Sequence, residues 1–394
     1  MKLSRYLLVG MVLTSSFLAV PTASAATGWQ VDLAEPAAGS TNVETGPVRL
    51  GSDDNRAASA DSAARTGMAV YPHTLATAAN AFTATVTSTV PDGAEVAVDV
   101  RGRAAGRWTE WAEIRPGAPG VLTGAAKDVE VRVVLSAPDG VASPTVDALT
   151  ITPAAGQRAP APQPGLTYRV FATREGLVGH TTANGHKIVA RDHFVALPSR
   201  RGLSAKGAGD YSVRVCAANG RCEWAPTWDV GPWNTRDDYW AAPEVRQQWG
   251  DLPQGKPASQ AAYEDGYNGG KDQFGRKVKN PAGIDLADGT FWDGLKLKNN
   301  AWVTVTYQWT GTHPHGFVDT PGPVLNVRPG PNSQSPNVGL AAKHAQVRIE
   351  CVVAGEQVTG SQGTTNQWYR LAEGMFVSAA HVAYGPGASP VPTC

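Results

Sequence analysis

At 394 residues the chain is longer than one hydrophobic core usually spans, so two or three domains are expected. A composition 42% apolar and 17% charged excludes wholesale disorder. The balance of 34 basic against 34 acidic residues offers no electrostatic footprint for nucleic acid or an anionic membrane surface, and points to an uncharged or mixed-charge partner.

Residues 1–25 read as a secretory signal: Lys2 and Arg5 at the start, an apolar run from Tyr6 to Val20, and the small-residue site Ala23-Ser24-Ala25. No later run is long and apolar enough to span a bilayer, and no cysteine precedes Cys216, so neither membrane insertion nor a lipid anchor is expected. The expected product is secreted or extracellular, and monomeric. Abundant glycine and proline between short Val- and Thr-rich runs predict a mainly β protein.

From 28 to 153 the pattern alternates with period two, as in Phe82–Val90, the turn Pro91-Asp92-Gly93, Ala94–Val100 and Val129–Leu135, and predicts a β-sandwich. Trp108 and Trp111 fit either a sugar-stacking pair or core aromatics. Residues 154–165 form a Pro- and Ala-rich linker. The stretch 166–311 carries strand-like runs at Tyr168–Thr173, His193–Leu197, Tyr211–Cys216, Glu223–Val230 and Trp302–Trp309. It is interrupted by an aromatic- and Asp-rich insertion, 235–282, in which Pro243 and Pro257 each open a predicted helical turn. A final segment, 316–394, holds further strands.

Four cysteines in an exported chain predict two disulfides, Cys216 with Cys222 and Cys351 with Cys394. The first pair flanks Ala218-Asn219-Gly220, which suits a hairpin loop with glycine in the left-handed position. No metal and no cofactor is expected. His180, His186 and His193 match no ligand spacing, and Asp237, Asp238, Asp265, Asn268 and Asp272 lack the regular calcium-loop pattern.

Two acids stand out. Asp229, in Trp228-Asp229-Val230-Gly231-Pro232-Trp233-Asn234, ends a strand, and Asp285, in Gly283-Ile284-Asp285-Leu286, begins another such element. Two carboxylates in one low-dielectric cleft drive their pKa values apart, the arrangement that glycosidic cleavage uses. Asp beside Gly or Pro is also a plain turn former.

Gly179-His180-Thr181-Thr182-Ala183-Asn184-Gly185, Phe194-Val195-Ala196-Leu197-Pro198, Asp229-Val230-Gly231-Pro232-Trp233 and Ile284-Asp285-Leu286 follow in the order seen in the rare lipoprotein A family, whose six-stranded double-psi β-barrel this region resembles. It is also similar to the barrel of membrane-bound lytic transglycosylase A. The resemblance implies Asp285 as acid/base, Asp229 as its electrostatic support, and Thr182 as a residue facing the same groove. Trp233, Asn234, Tyr239 and Trp240, in the dense aromatic run after Asp229, are further substrate-binding candidates, and such aromatics fit either sugar stacking or a core. The implied substrate is peptidoglycan or another cell-wall polysaccharide, cleaved to a 1,6-anhydro end without water. Related barrels also act as non-catalytic, expansin-like wall binders or as secreted protease inhibitors. Leu325-Asn326-Val327-Arg328-Pro329-Gly330-Pro331 and Gln367-Trp368-Tyr369-Arg370 resemble the bacterial SH3-like domain, which implies a C-terminal SH3-like barrel that attaches to the wall.

Overall fold

The computed structural model describes residues 27–56, 64–156, 165–385 and 389–394. The leader at 1–25 and linker residues 157–164 lie outside them. The protein is mainly β, with a closed six-stranded barrel and several further sheets.

The N-terminal region is a nine-stranded sheet. Its long strand Ala64–Thr89 pairs first with Gly120–Pro138, from Ala64↔Pro138 to Thr74↔Asp128. After a register break between Thr74 and Ala81 it pairs with Thr145–Pro153, from Phe82↔Pro153 to Thr89↔Thr145. The change of partner folds the sheet over a core that includes Phe82, Val98, Val131, Val133, Leu149 and Ile151. Trp111 belongs to packing: it is 2% exposed, with the Arg132 guanidinium 4.1 Å above its ring.

The barrel strands are β1 (Thr167–Arg174), β2 (Val195–Leu197), β3 (Ser212–Cys216), β4 (Cys222–Val230), β5 (Ala282–Leu286) and β6 (Ala301–Tyr307). They close in the order β2-β5-β1-β6-β3-β4-β2. The β1–β5 and β2–β4 pairs are parallel and the other four antiparallel. Period-two alternation sends Val170 and Ala172, Val195 and Leu197, Val213 and Val215, Ile284 and Leu286, and Val303 and Val305 into one core. The residues between them face outward. The hairpin between β3 and β4 places Cys216 opposite Cys222, joined as a disulfide, with Gly220 at φ 84°. Cys351 is joined to Cys394.

The insertion folds aside because its first residues are pinned. Asp237 pairs with Arg246 and accepts the Ala258 N–H at 2.6 Å, at the start of helix α1 (Ala258–Asp265). Gly266, at φ 68°, ends that helix. The second helical turn predicted, over Glu244–Trp249, is an irregular turn instead. There Asp238 accepts the Gln247 N–H at 2.8 Å and Arg201 donates to the Val245 carbonyl at 2.8 Å, so tertiary partners satisfy groups a helix would have paired.

The C-terminal segment is continuous with the barrel sheet. Gly339–Ala342 runs parallel to β4, from Cys222↔Gly339 to Trp224↔Ala341, and Val324–Val327 pairs with it in turn. Two three-stranded sheets complete this region.

The N-terminal sheet meets the barrel through buried charge. Arg132 donates to Asp99 at 2.7 and 3.1 Å, and the Arg200 guanidinium lies 3.4 Å from the same carboxylate. Arg201 donates to the Trp111 carbonyl at 3.0 Å, and Arg236 pairs with Glu95 and Glu113. Among the described residues no helix is long and apolar enough to cross a membrane.

Candidate functional site

The barrel register aligns four residues in one lateral row. Thr173 on β1 is level with Asp285 on β5, Asp285 is level with Ala196 on β2, and Ala196 is level with Asp229 on β4. Residues level with one another point to the same side of a sheet. This side is the outward one, because the neighbours Ala172, Ile284, Leu286, Val195 and Leu197 fill the barrel. At a strand spacing of about 4.8 Å the two acids stand about 10 Å apart at Cα. Only the Ala196 methyl lies between them, so their carboxyl groups can lean together over it. The insertion does not separate the acids, since β2 supplies the strand that bridges β4 and β5.

Both acids are nearly closed off, Asp229 at 4% and Asp285 at 6% exposed. Thr173 Oγ1 donates to Asp285 Oδ1, and Asp229 Oδ1 accepts the Ala183 and Val230 N–H groups at 2.8 Å each. Burial pushes Asp285 up to about 7, against the Thr173 hydrogen bond and with help from the negative charge of Asp229. Burial also raises Asp229, to about 6, while the contact with Glu175 and the two N–H groups favour its charged form. Near neutral pH the pair therefore supplies one protonated acid and one anion.

A third carboxyl joins them. Glu175 follows β1 and its N–H donates to the Leu286 carbonyl at 2.9 Å. Its side chain touches that of Asp229, and neither of its buried oxygens finds a donor among the described residues. Two carboxyl groups in contact need a shared proton, and burial together with Asp229 holds Glu175 well above the ordinary range. A group raised in this way supports the fold fully below its unfolded pKa and loses that contribution as pH rises through the folded one. Glu175→Gln, which keeps shape and a donor, is therefore expected to unfold within about 0.5 kcal/mol of the parent at pH 4 and to be the more stable protein at pH 9, as read by thermal melting at both pH values.

The remaining predicted residues divide. Thr182 is fully buried, with its hydroxyl inside its own turn: it donates to Asn184 Oδ1 at 2.8 Å and accepts the His186 N–H at 3.1 Å. This turn is covered by Thr41 and Asn55 of the N-terminal region, so Thr182 positions the Ala183 N–H on Asp229 rather than facing a groove. Tyr239 and Trp240 are likewise corrected to core residues. The Tyr239 hydroxyl donates to the Gly283 carbonyl at 3.0 Å, Trp240 Nε1 donates to Glu110 at 2.9 Å, and both rings pack on Tyr307. Asn234 is buried, accepting the Gln273 N–H at 3.0 Å.

Trp233 alone of this set keeps an open side. It is half-buried, its Nε1 donates to Asn280 at 3.1 Å, and its φ of 62° is a left-handed conformation rarely adopted by a bulky residue. Residue patterns gave no sign of Trp292, which is 36% exposed between the guanidinium groups of Arg174 and Arg191, at 4.7 and 5.1 Å. Arg174 directly follows Thr173 and pairs with Asp288 at 2.7 Å, which sets this ring near the end of the acid row.

Around the row, His186 meets Asp192 at 2.6 Å and His193 meets Glu223 at 3.0 Å. Among the described residues no group of three or more His, Cys, Asp or Glu side chains is arranged to hold a metal ion.

Fold and site together define a closed, mixed six-stranded β-barrel with an outward-facing cluster of buried carboxyl groups, a form compatible with a double-psi barrel. Residues 166–306 match a domain of unknown function, DUF8814. No curated protein and no solved structure matches the chain.

Proposed function

We propose that this is an exported wall-directed protein whose barrel binds the glycan strands of peptidoglycan and cleaves them by lytic transglycosylase-like proton chemistry. The observation that carries the reading is the row Thr173–Asp285–Ala196–Asp229, which aligns two buried acids on one outward face, where burial raises both and Asp285 the more. In this mechanism Asp285 gives its proton to the bridging glycosidic oxygen as the bond to the anomeric carbon breaks. The resulting Asp285 carboxylate then takes the proton of the sugar's own 6-hydroxyl, whose oxygen closes on the anomeric carbon. No water is consumed and the acid is regenerated. Asp229 stabilises the positive charge that develops on the sugar, and Trp233 offers a partly exposed ring for a neighbouring sugar. The C-terminal segment, with its SH3-like motifs, serves attachment to the wall.

A second reading, a wall-binding protein without turnover, is favoured by the closure of the site. The Thr182 turn is buried under the N-terminal sheet, and neither Asp229 nor Asp285 lines the cavities of about 490 and 340 Å³. Incubation with insoluble peptidoglycan followed by sedimentation separates the two. Soluble anhydro-ended fragments support the enzyme; co-sedimentation with no soluble product supports the binder. Absence of both would refute the wall-directed reading.

A further inference from the structure

Away from the acid row, the N-terminal sheet, the barrel and the C-terminal segment enclose a cavity of about 490 Å³, within the range of small-molecule sites. Its walls are largely aromatic and aliphatic, with Trp108, Trp240, Trp309, Leu166 and Val245 among them. Its one acid, Glu110, is already engaged. It accepts the indole N–H groups of Trp240 and Trp309 at 2.9 and 2.8 Å, and its other oxygen lies 3.4 Å from Arg201.

Arg107, also in the wall, is placed differently. Its guanidinium donates to His315 Nδ1 at 2.9 Å and to the Gly311 carbonyl at 3.1 Å, both neutral. Accepting at Nδ1 leaves the His315 proton on Nε2. Among the described residues Arg107 forms no ion pair, and the charge that acts on it is another cation, Arg348. Glu350, the acid near Arg348, is held by Arg370 at 3.0 Å. Burial and Arg348 push Arg107 down to about 10, and burial with Arg107 and Arg103 pushes His315 down to about 4. A half-buried guanidinium without an anion is poorly compensated, and an apolar-walled space beside it is where an anion would relieve it. A second space of about 340 Å³ shares Arg107, Trp108, Trp309 and His315, so a ligand longer than one ring has room.

We propose that this cavity binds a small organic carboxylate, with its anionic group on Arg107 and its planar apolar body against Trp108 and Trp309. The site is separate from the acid row and does not depend on glycan cleavage. Calorimetric titration of the full chain with 1-naphthoate, and with the neutral 1-naphthalenemethanol, tests it. One molecule of naphthoate is expected to bind per chain, about tenfold or more tighter than the alcohol, because a charge-assisted contact is lost in the alcohol. Arg107→Gln should abolish that preference while the far-UV spectrum and melting behaviour stay those of a folded protein, and Arg107→Lys should restore part of it. Equal affinity for acid and alcohol, no saturable naphthoate binding, or an unchanged preference in a folded Arg107→Gln protein would each overturn the proposal. If Arg107→Gln does not fold, the acid-versus-alcohol comparison on the parent protein decides alone.

Discussion

Asp285→Asn is expected to lower glycan cleavage by about a thousandfold, the middle of the range for loss of a positioned acid/base, with binding to insoluble wall retained. The amide keeps the volume and the Thr173 contact but carries no transferable proton. In the parent protein cleavage should fall as pH rises above about 7, where Asp285 loses its proton, and fall again below about 6, where Asp229 gains one. The same substitution has an opposite effect on stability. The folded pKa of Asp285 is raised, so its contribution is intact below its unfolded pKa near 3.8 and is lost as pH passes about 7. A rise of that size corresponds to about 4 kcal/mol. Asp285→Asn should therefore melt like the parent at pH 4 and at a higher temperature at pH 8. Loss of activity with unchanged pH dependence of melting would remove Asp285 from the role of buried acid.

Asp99→Ala is expected to destabilise the protein by about 3–5 kcal/mol at pH 7, measured by urea unfolding. It leaves the Arg132 and Arg200 guanidinium groups buried without their shared anion at the junction of the N-terminal sheet and the barrel. Burial alone would raise the Asp99 pKa, but Arg132 and Arg200 overcome it and hold the group below 3.8. Its contribution is therefore present above the unfolded pKa and lost as pH falls through the folded one, so parent and variant should converge only in strong acid. Asp99→Leu combined with Arg132→Met, which removes both buried charges of the closest pair, should recover part of the loss. Because this junction covers the Thr182 turn, the alanine variant also tests whether the N-terminal sheet steadies the Ala183 N–H on Asp229.

Much of the barrel is legible in the residues because its strands are short, β-branched and alternating. The ends of helix α1 follow from Pro257 and Gly266 in the same way. The 26-residue strand Ala64–Thr89 is harder to read. Its centre, Thr74-Leu75-Ala76-Thr77-Ala78-Ala79-Asn80, has little strand preference and spans the register break between stretches paired with partners distant in sequence. Asp229 and Asp285 are legible as acids in turn-like settings, but their alignment across Ala196 depends on pairing that no local pattern encodes. Glu175 is missed because Arg174-Glu175-Gly176 looks like a solvated turn, and only the closed barrel buries it against Asp229. Tyr239 and Trp240 are misplaced for the converse reason. A dense run of aromatics reads alike whether it lines a groove or fills a core, and Asp237 and Asp238 draw this one inward by pairing with Arg246 and Arg201.

The central claim is that the barrel holds a neutral Asp285 beside an anionic Asp229 near physiological pH. Carbon-13 NMR titration of aspartate carboxyl groups in the parent, Asp285→Asn and Asp229→Asn proteins tests it most directly. The expected result is a carboxyl that titrates near pH 7, is absent from Asp285→Asn, and moves to lower pH in Asp229→Asn, where the neighbouring charge is gone. An Asp285 carboxyl that titrates below pH 5, or one indifferent to Asp229, would contradict the account.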